Sequence, residues 1–388
     1  MPMINASLIS ELIASQPEVH SSCLEINLKD ACYRVHSNSE TLLQELADYF
    51  GNLSVWSDED TNSDKTQTWE TIFIFESSLA EELIAATDWQ DWKREAGKSG
   101  RKDAVYDLDT AHGKLRLLYK VKTGMLFLQP ARPTPEFPLM AFGPAEKHPN
   151  QIINFILTQY LNRHIRSNWL LGHAAGLQIK QQGVAIAGLS GGGKSTLMLH
   201  LLEEGEHFIS NDRLLFKADA AEHMLMRGIP KQPRINPGTI VHNPRLHSLI
   251  SEQQRSEFLA MPQEALRALE MKFDAPVDRL YWENCYVQER ELDWIVILNW
   301  QAVSNERTQV HRTTLQESPH LIPALVKSPG PFYSDASGEF LKNGLIPNPL
   351  DYQQALGKVP VLELTGKIDF TEAKSLILDQ LNQSSENL

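Results

Sequence analysis

Cysteine is scarce in this chain, which has three among 388 residues: Cys23, Cys32 and Cys285. An odd number without metal-ligand spacing excludes a disulfide framework and a zinc site built on cysteines. The three residues are therefore expected to be reduced thiols without a catalytic role, as is typical of a cytoplasmic protein.

Long hydrophobic runs and a surplus of positive charge are also missing. No stretch reaches the ~18 apolar residues that span a bilayer, and the N-terminal segment lacks the basic region and cleavage site of a secretory signal. Lys and Arg number 36 against 49 Asp and Glu, which gives a net charge of −13. We therefore expect a cytoplasmic protein with neither nucleic acid nor a membrane as its partner.

The length predicts two domains. Residues 132–138 are rich in proline, and residues 143–149 also interrupt the periodic pattern, so this region is interpreted as a linker. Residues 1–150 then form an N-terminal α+β domain of unknown role, and residues 151–388 form a second domain that opens with an amphipathic helix near 153–165. In the first domain, hydrophobic patterns predict strands near 24–28, 72–75 and 125–128 and a helix near 42–50.

The most informative segment is a phosphate-binding loop of the form G-x-x-x-x-G-K-[ST] in residues 188–195. A short apolar strand at 184–187 precedes it and a helical pattern at 196–204 follows it, which is the context the motif requires. The glycines allow backbone N–H groups to converge on phosphate oxygens at the positive end of a helix. Candidate nucleotide-binding residues are Gly188, Ser190, Gly191, Gly192, Gly193, Lys194, Ser195 and Thr196, with Lys194 on the β/γ-phosphates and Ser195 on Mg²⁺.

The surroundings of the loop differ from those of common P-loop proteins. Residues 174–179 and 184–187 predict a β-hairpin, and so do residues 214–217 and 224–227. Residues 293–299 predict a core strand that ends in Asn299, where a Walker B strand would end in Asp. A P-loop among antiparallel hairpins indicates a minority architecture.

These residues resemble HPr kinase/phosphorylase, a bacterial P-loop kinase with a catalytic fold similar to that of phosphoenolpyruvate carboxykinase. The loop is similar to the family's G-x-S-G-x-G-K-S, and His173 matches a family histidine before the hairpin. Residues 210–213 (Ser-Asn-Asp-Arg) fall where the family has an Asp-Asp pair, and Arg227-Gly228 resembles its Arg-Gly motif. The resemblance covers residues 172–228, and the variant is most similar to the HprK-related kinase B branch.

The resemblance implies an α/β (α+β) P-loop domain, ATP and Mg²⁺ as cofactors, and a homo-oligomer. It implies catalytic roles for His173, Asn211, Asp212 and Arg227, with Ser195 and Asp212 as metal ligands. Two positions depart from the family pattern, because Asn211 replaces the carboxylate that serves as general base and Leu225 replaces a metal-side Glu. A carboxamide cannot take up or release a proton as a general base or acid at neutral pH, so no phosphorylase activity is expected.

Three functional hypotheses stay open. The first is an ATP- and Mg²⁺-dependent kinase whose acceptor is a serine/threonine-type hydroxyl of a protein or a small-molecule hydroxyl. The second is a nucleotide-binding switch or pseudokinase without phosphoryl transfer, and the third is an ATPase or GTPase that acts as an assembly factor. Two readings also remain for Arg227, Lys231 and Arg234, which are either cations that bind acceptor or nucleotide phosphates or part of a solvated basic loop.

Overall fold

The computed structural model describes residues 13–58, 68–78, 84, 87–94, 100–188, 192–269, 271–301 and 304–385. The chain forms two compact units, one of residues 1–167 with 329–345 and one of residues 168–328 with 346–388. Helices together with several sheets, two of them mixed and two antiparallel, make the class α+β. Within the described ranges, no helix is both long enough and apolar enough to cross a bilayer.

The first unit is built on a large mixed sheet. Its strands run in the order β3-β1-β2-β4-β9-β8-β7-β6-β5, and β4 pairs in parallel with both β2 and β9. The predicted strands and helix in this unit are confirmed to within a few residues. The elements are β1 Ser22–Asn27, β2 Cys32–Ser37, α1 Glu40–Phe50, β3 Ser54–Asp58, β4 Trp69–Glu76, β5 Gln90–Asp91, β6 Asp103–Thr110, β7 Gly113–Lys120, β8 Leu126–Pro130, β9 Leu139–Gly143 and α2 Pro149–Arg166.

The division between the units differs from the predicted boundary at residue 150. The proline-rich segment is a turn within the sheet, where Thr134 and Phe137 exchange backbone hydrogen bonds, and β9 follows directly in the middle of the sheet. Helix α2 also belongs to the first unit, since Phe155 packs against Phe127 at a ring distance of 4.8 Å. Its apolar face covers the sheet, so the helix completes the first unit instead of opening the second.

The second unit contains a six-stranded sheet in the order β13-β11-β12-β19-β21-β20 and a four-stranded sheet in the order β10-β14-β15-β18. Both predicted hairpins, β11–β12 and β14–β15, are confirmed. Strand β12 also pairs in parallel with β19, the predicted core strand. The strands are β10 Leu170–Gly172, β11 Ala174–Ile179, β12 Gln182–Gly188, β13 His207–Ser210, β14 Leu214–Ala218, β15 Met224–Arg227, β16 Arg234–Ile235, β17 Phe273–Asp274, β18 Glu289–Glu291, β19 Trp294–Leu298, β20 Gln309–Thr314 and β21 Pro360–Thr365.

Both faces of the six-stranded sheet are buried. Along β12, Val184 and Ile186 pack with the helices α3 (Lys194–Leu202) and α9 (Phe370–Ser385), while Ala185 and Ala187 face a second cluster that includes Tyr352. Successive side chains of a strand point to opposite faces, so a strand covered on both sides is apolar throughout. The remaining helices are α4 Pro237–Val241, α5 Glu252–Ala260, α6 Gln263–Ala268, α7 Val277–Leu280 and α8 Pro349–Leu356, with 3₁₀ turns at Gly51–Leu53, Pro244–Leu249 and Pro319–Ala324.

Candidate functional site

The glycine-rich motif lies between a strand and a helix, as the sequence predicts. Strand β12 ends at Gly188, and α3 begins at Lys194, with Ser195 and Thr196 in its first turn. Gly193 precedes the helix with φ of 88°, a conformation that favours glycine. Ser190 and Gly191, two of the predicted nucleotide-binding residues, lie outside the described part of the chain.

Lys194 is buried and points at the turn between β13 and β14. Its side chain is 9% exposed, and Nζ lies 3.1 Å from the carbonyl oxygen of Asn211 and 3.2 Å from Oδ1 of Asp212. Within this turn, Ser210 Oγ donates to the carbonyl oxygen of Arg213 at 2.6 Å and holds the chain in place. The fold therefore brings the P-loop lysine to the two residues that the sequence singles out.

Asp212 is the centre of a cluster of basic side chains. Nε2 of His173 lies 3.1 Å from Oδ1, which Lys194 also contacts, and Nζ of Lys327 lies 3.2 Å from Oδ2. The Asp212 side chain is 48% exposed, whereas that of Lys327 is 13% exposed. One carboxylate thus faces two lysines and a histidine, and it remains open to solvent.

The pKa values in this cluster reflect the crowding of positive groups. Burial acts to raise the pKa of Asp212, but the hydrogen bond from His173 and the charges of Lys327 and Lys194 hold that pKa well below its ordinary value. The hydrogen bond to Asp212 raises the pKa of His173, yet burial and the two lysine charges together lower it. Burial lowers the pKa of Lys194 more than Asp212 raises it. At neutral pH Asp212 is therefore ionised and His173 is predominantly neutral.

The residue before Asp212 in this turn, Asn211, has a buried side-chain acceptor. Its Oδ1 is buried and has no hydrogen-bond partner among the residues that the structure describes. A buried polar atom without a partner is costly, and such atoms in folded proteins need an explanation. A hydroxyl or water bound at the site would satisfy it.

Lys327 is a member of the site that the sequence does not reveal. Val326 forms a bridge with Gly172, and the backbone N–H of His173 donates to the carbonyl oxygen of Leu325 at 2.8 Å, so Lys327 is carried alongside His173. No motif surrounds this lysine in the sequence. Its role depends on a long-range pairing that local patterns do not encode.

Arg227 lies in an ion pair of its own. Its Nε is 2.7 Å from Oε2 of Glu289, and its guanidinium lies over the ring of Trp169 at 4.5 Å. These contacts balance its charge and fix its orientation. The neighbouring Gly228 has a separate reason to be glycine, because a Cβ there would lie 1.8 Å from the carbonyl oxygen of Ile209.

Two aromatic side chains pack against the C-terminal part of the loop. Nε1 of Trp300 donates to the carbonyl oxygen of Gly192 at 2.7 Å. A Cβ at Gly193 would lie 2.6 Å from Cζ of Phe370, whose ring meets that of Trp300 edge to face. Both residues follow strands of the six-stranded sheet, and the sequence does not predict a role for either of them.

The basic residues after β15, Lys231 and Arg234, have different electrostatic surroundings. Arg234 pairs with Asp274, with Nε 3.2 Å from Oδ1. Burial, followed by the repulsion of Arg213, lowers the pKa of Lys231 to about 7, and Asp212 lies within its electrostatic range. Lys231 is therefore only partly charged near neutral pH, and the charge of Arg234 is already balanced by Asp274.

The donor atoms at this site fit a magnesium ion bound together with a phosphate. Mg²⁺ prefers oxygen ligands and is usually held by one or two protein groups, with substrate phosphates and water completing the shell. The hydroxyl of Ser195 and the carboxylate of Asp212 are such groups. No set of three or more His, Cys, Asp or Glu side chains that could hold a metal occurs in the described residues, which argues against an all-protein metal cage there.

Comparison with solved structures gives a neighbour of known activity. The HPr(Ser) kinase/phosphatase from Coxiella burnetii is similar over 56% of this chain and 93% of its own, at 12% identity and a TM-score of 0.28. No protein-family model matches the chain, and no curated protein matches it. A TM-score this low does not establish a shared fold, so function has to be inferred from the site itself.

Proposed function

We propose that this protein is an ATP- and Mg²⁺-dependent P-loop kinase that transfers the γ-phosphoryl group to a hydroxyl. The acceptor is a serine/threonine-type side chain of a protein or a small-molecule hydroxyl. The observation that carries the proposal is the convergence of Lys194, Lys327 and His173 on Asp212, directly beyond a strand–loop–helix element with the full phosphate-binding motif. An excess of cations around one carboxylate suits a polyanionic ligand.

Binding of the nucleotide replaces one anion by another. In the structure, Asp212 is the partner of Lys194 and Lys327. Phosphate oxygens compete for both lysines, and the N–H groups at the start of α3 add further donors. Mg²⁺, when bound, offsets phosphate charge, and Ser195 and Asp212 are the residues that would hold it.

Transfer of the phosphoryl group then requires few functional groups from this chain. A bond forms between the acceptor oxygen and the γ-phosphorus, the bond to the bridging oxygen breaks, and ADP leaves with that electron pair. The hydroxyl proton passes to Asp212 or to water, while the Oδ1 of Asn211 accepts a hydrogen bond that orients the acceptor. Phosphoryl transfer depends on positioning and charge more than on a strong base, so a carboxamide at position 211 is compatible with the forward reaction.

The same carboxamide favours a second candidate function. If Asp212 stays paired with the lysines and neither water nor His173 takes the hydroxyl proton, the protein is a nucleotide-dependent switch that binds ATP without transferring phosphate. The two functions share the binding residues and differ in turnover.

One experiment separates the two functions. The full chain is incubated with γ-labelled ATP and Mg²⁺, together with a mixture of serine- and threonine-containing peptides or with glycerol, and labelled acceptor is separated from free phosphate. Label on an acceptor that disappears in Lys194→Ala supports the kinase. Tight ATP binding without any label supports the switch, and absence of nucleotide binding overturns both functions.

A further inference from the structure

We propose that Lys327 is a second phosphate-binding lysine that contacts the terminal phosphate, so that the site prefers a nucleoside triphosphate to a diphosphate. This inference rests on the proposed nucleotide-binding function and deepens it. It assigns the preference to a residue outside the loop and outside every motif in the sequence.

The first argument is the way the two lysines share one carboxylate. Nζ of Lys194 lies 3.2 Å from Oδ1 of Asp212, and Nζ of Lys327 lies 3.2 Å from Oδ2. Each lysine contacts a different oxygen, so together they form a bidentate cradle for an anionic group. A terminal phosphate offers the same kind of oxygen acceptors with more negative charge.

The second argument is the imbalance of charge and exposure. The side chains of Lys194 and Lys327 are 9% and 13% exposed, while that of Asp212 is 48% exposed. Buried cations need a close counter-charge, and a single carboxylate supplies it to two lysines here. The carboxylate is the most exposed of the three side chains, and its single charge is shared by both lysines.

The third argument is that Lys327 is held in place before any ligand binds. Its backbone N–H donates to Oη of Tyr352 at 3.1 Å, and the Tyr352 hydroxyl donates in turn to the carbonyl oxygen of Leu171. Tyr352 is fully buried. A lysine whose backbone is fixed in this way loses less freedom on binding, which is the condition for a specific contact.

The position along the phosphate chain follows from where Lys194 points. The loop and the start of α3 hold the first phosphates of a nucleotide, and the P-loop lysine reaches the β/γ-phosphates. Asp212 lies at the far end of the Lys194 side chain, with Lys327 on its other oxygen. The phosphate that replaces Asp212 between the two lysines is therefore the last one.

The test compares dissociation constants for ATP and ADP, each with Mg²⁺, in the full-length protein. Lys327→Met keeps most of the side-chain volume and removes the charge. We expect ATP binding to weaken by about 10- to 100-fold, as for a lost hydrogen bond to a charged group, and ADP binding to change by less than about 3-fold. Lys194→Met is expected to weaken both nucleotides.

Lys374→Met is the matched control. Lys374 pairs with Glu203 at 3.0 Å and Glu204 at 3.1 Å, and its side chain is 19% exposed. It is a comparably buried lysine with two carboxylate contacts and no contact with Asp212 among its ion pairs. Its removal should leave the ratio of ATP to ADP affinity as in the wild type.

The possible outcomes distinguish a failure of the inference about Lys327 from a failure of the proposed nucleotide-binding function. A wild-type protein that binds neither nucleotide overturns the proposed function. A wild-type protein that binds ATP, combined with a Lys327→Met protein whose affinities for ATP and ADP fall equally or not at all, overturns the role of Lys327 alone.

A second measurement covers the case in which Lys327→Met does not fold. Lysine acetylation of the wild-type protein, followed by peptide mass spectrometry, should show Lys327 protected by ATP and not by ADP, while Lys194 is protected by both. Equal protection of Lys327 by the two nucleotides overturns the inference.

Discussion

The two units contain lysines that are equally buried and that differ in their counter-charges. In the first unit, Lys120 is 13% exposed and lies 2.8 Å from Asp103, which is itself 11% exposed. In the second unit, Lys327 is also 13% exposed, but its partner Asp212 is 48% exposed and serves Lys194 and His173 as well. A matched pair sealed from solvent stabilises a fold. A carboxylate that two lysines share leaves part of their positive charge unbalanced, and this charge attracts an anionic ligand.

The largest expected effect comes from replacing Lys194, with the replacement of Lys120 as the comparison. Lys194→Ala should lower turnover by about 10²–10³-fold, because a preorganised group on the transferred phosphate is lost, and it should leave the protein folded. Lys120→Ala should leave nucleotide binding unchanged and destabilise the first unit by ~3–5 kcal/mol, since it leaves a buried carboxylate unpaired. Urea unfolding and ATP titration of both variants check the pair of outcomes. A Lys194→Ala protein with wild-type affinity and turnover would contradict the comparison.

The second prediction concerns the reverse reaction and Asn211. Phosphorolysis has to expel an alkoxide, and a missing general acid costs a factor of ~10²–10⁴. We expect negligible pyrophosphate release when the phosphorylated product meets inorganic phosphate and Mg²⁺, and a measurable rate in Asn211→Asp. Rapid phosphate-dependent dephosphorylation by the unmodified protein would show that position 211 does not have the role given to it.

The third prediction tests whether Asp212 competes with phosphate for the lysines. In Asp212→Asn, ATP should bind more tightly than in the wild type when Mg²⁺ is absent, and the gain in affinity on adding Mg²⁺ should shrink, because a hard cation prefers a carboxylate to an amide oxygen. Calorimetric titrations with and without Mg²⁺ measure both the ATP affinity in the absence of Mg²⁺ and the gain in affinity when Mg²⁺ is added. Asp103→Asn removes the same charge from the matched pair of the first unit and should alter neither.

The sequence predicts the parts of this site that depend on local pattern. Strand β12, helix α3 and the two hairpins follow from periodicity and turn residues, and they place Lys194 next to Asp212. The division into two units differs from the predicted boundary at residue 150, because a proline-rich turn inside a sheet resembles a linker when the parallel pairing of β9 with β4 is unknown. Lys327 and Trp300 escape prediction for the same reason, since each reaches the site through contacts between distant parts of the chain.

The fourth prediction has a smaller expected effect and concerns the loop's support. Trp300→Phe keeps an aromatic ring against Phe370 and removes the hydrogen bond to the carbonyl oxygen of Gly192. A neutral hydrogen bond contributes about 0.5–1.5 kcal/mol, so ATP affinity should fall by about 2- to 10-fold. Equilibrium dialysis with labelled ATP measures the change. An unchanged affinity would mean that the loop holds its shape without Trp300.

The smallest expected effect is a pH dependence of stability that belongs to His173. The pKa of this histidine is lowered in the folded protein, while in the unfolded chain it is about 6.5. As the pH falls through about 6.5, the unfolded chain therefore takes up a proton before the folded protein does, so stability that is present at higher pH is lost on acidification. Asp212 does not interfere in this window, because its depressed pKa costs stability only near and below the ordinary range of about 4. His173→Gln should flatten the decline of the unfolding free energy between about pH 7.5 and 5.5, measured by urea denaturation at intervals across that range. Identical slopes for the two proteins would mean that His173 is protonated as easily beside the two lysines as in the unfolded chain. The cluster would then lack the surplus of positive charge on which the proposed binding of phosphate depends.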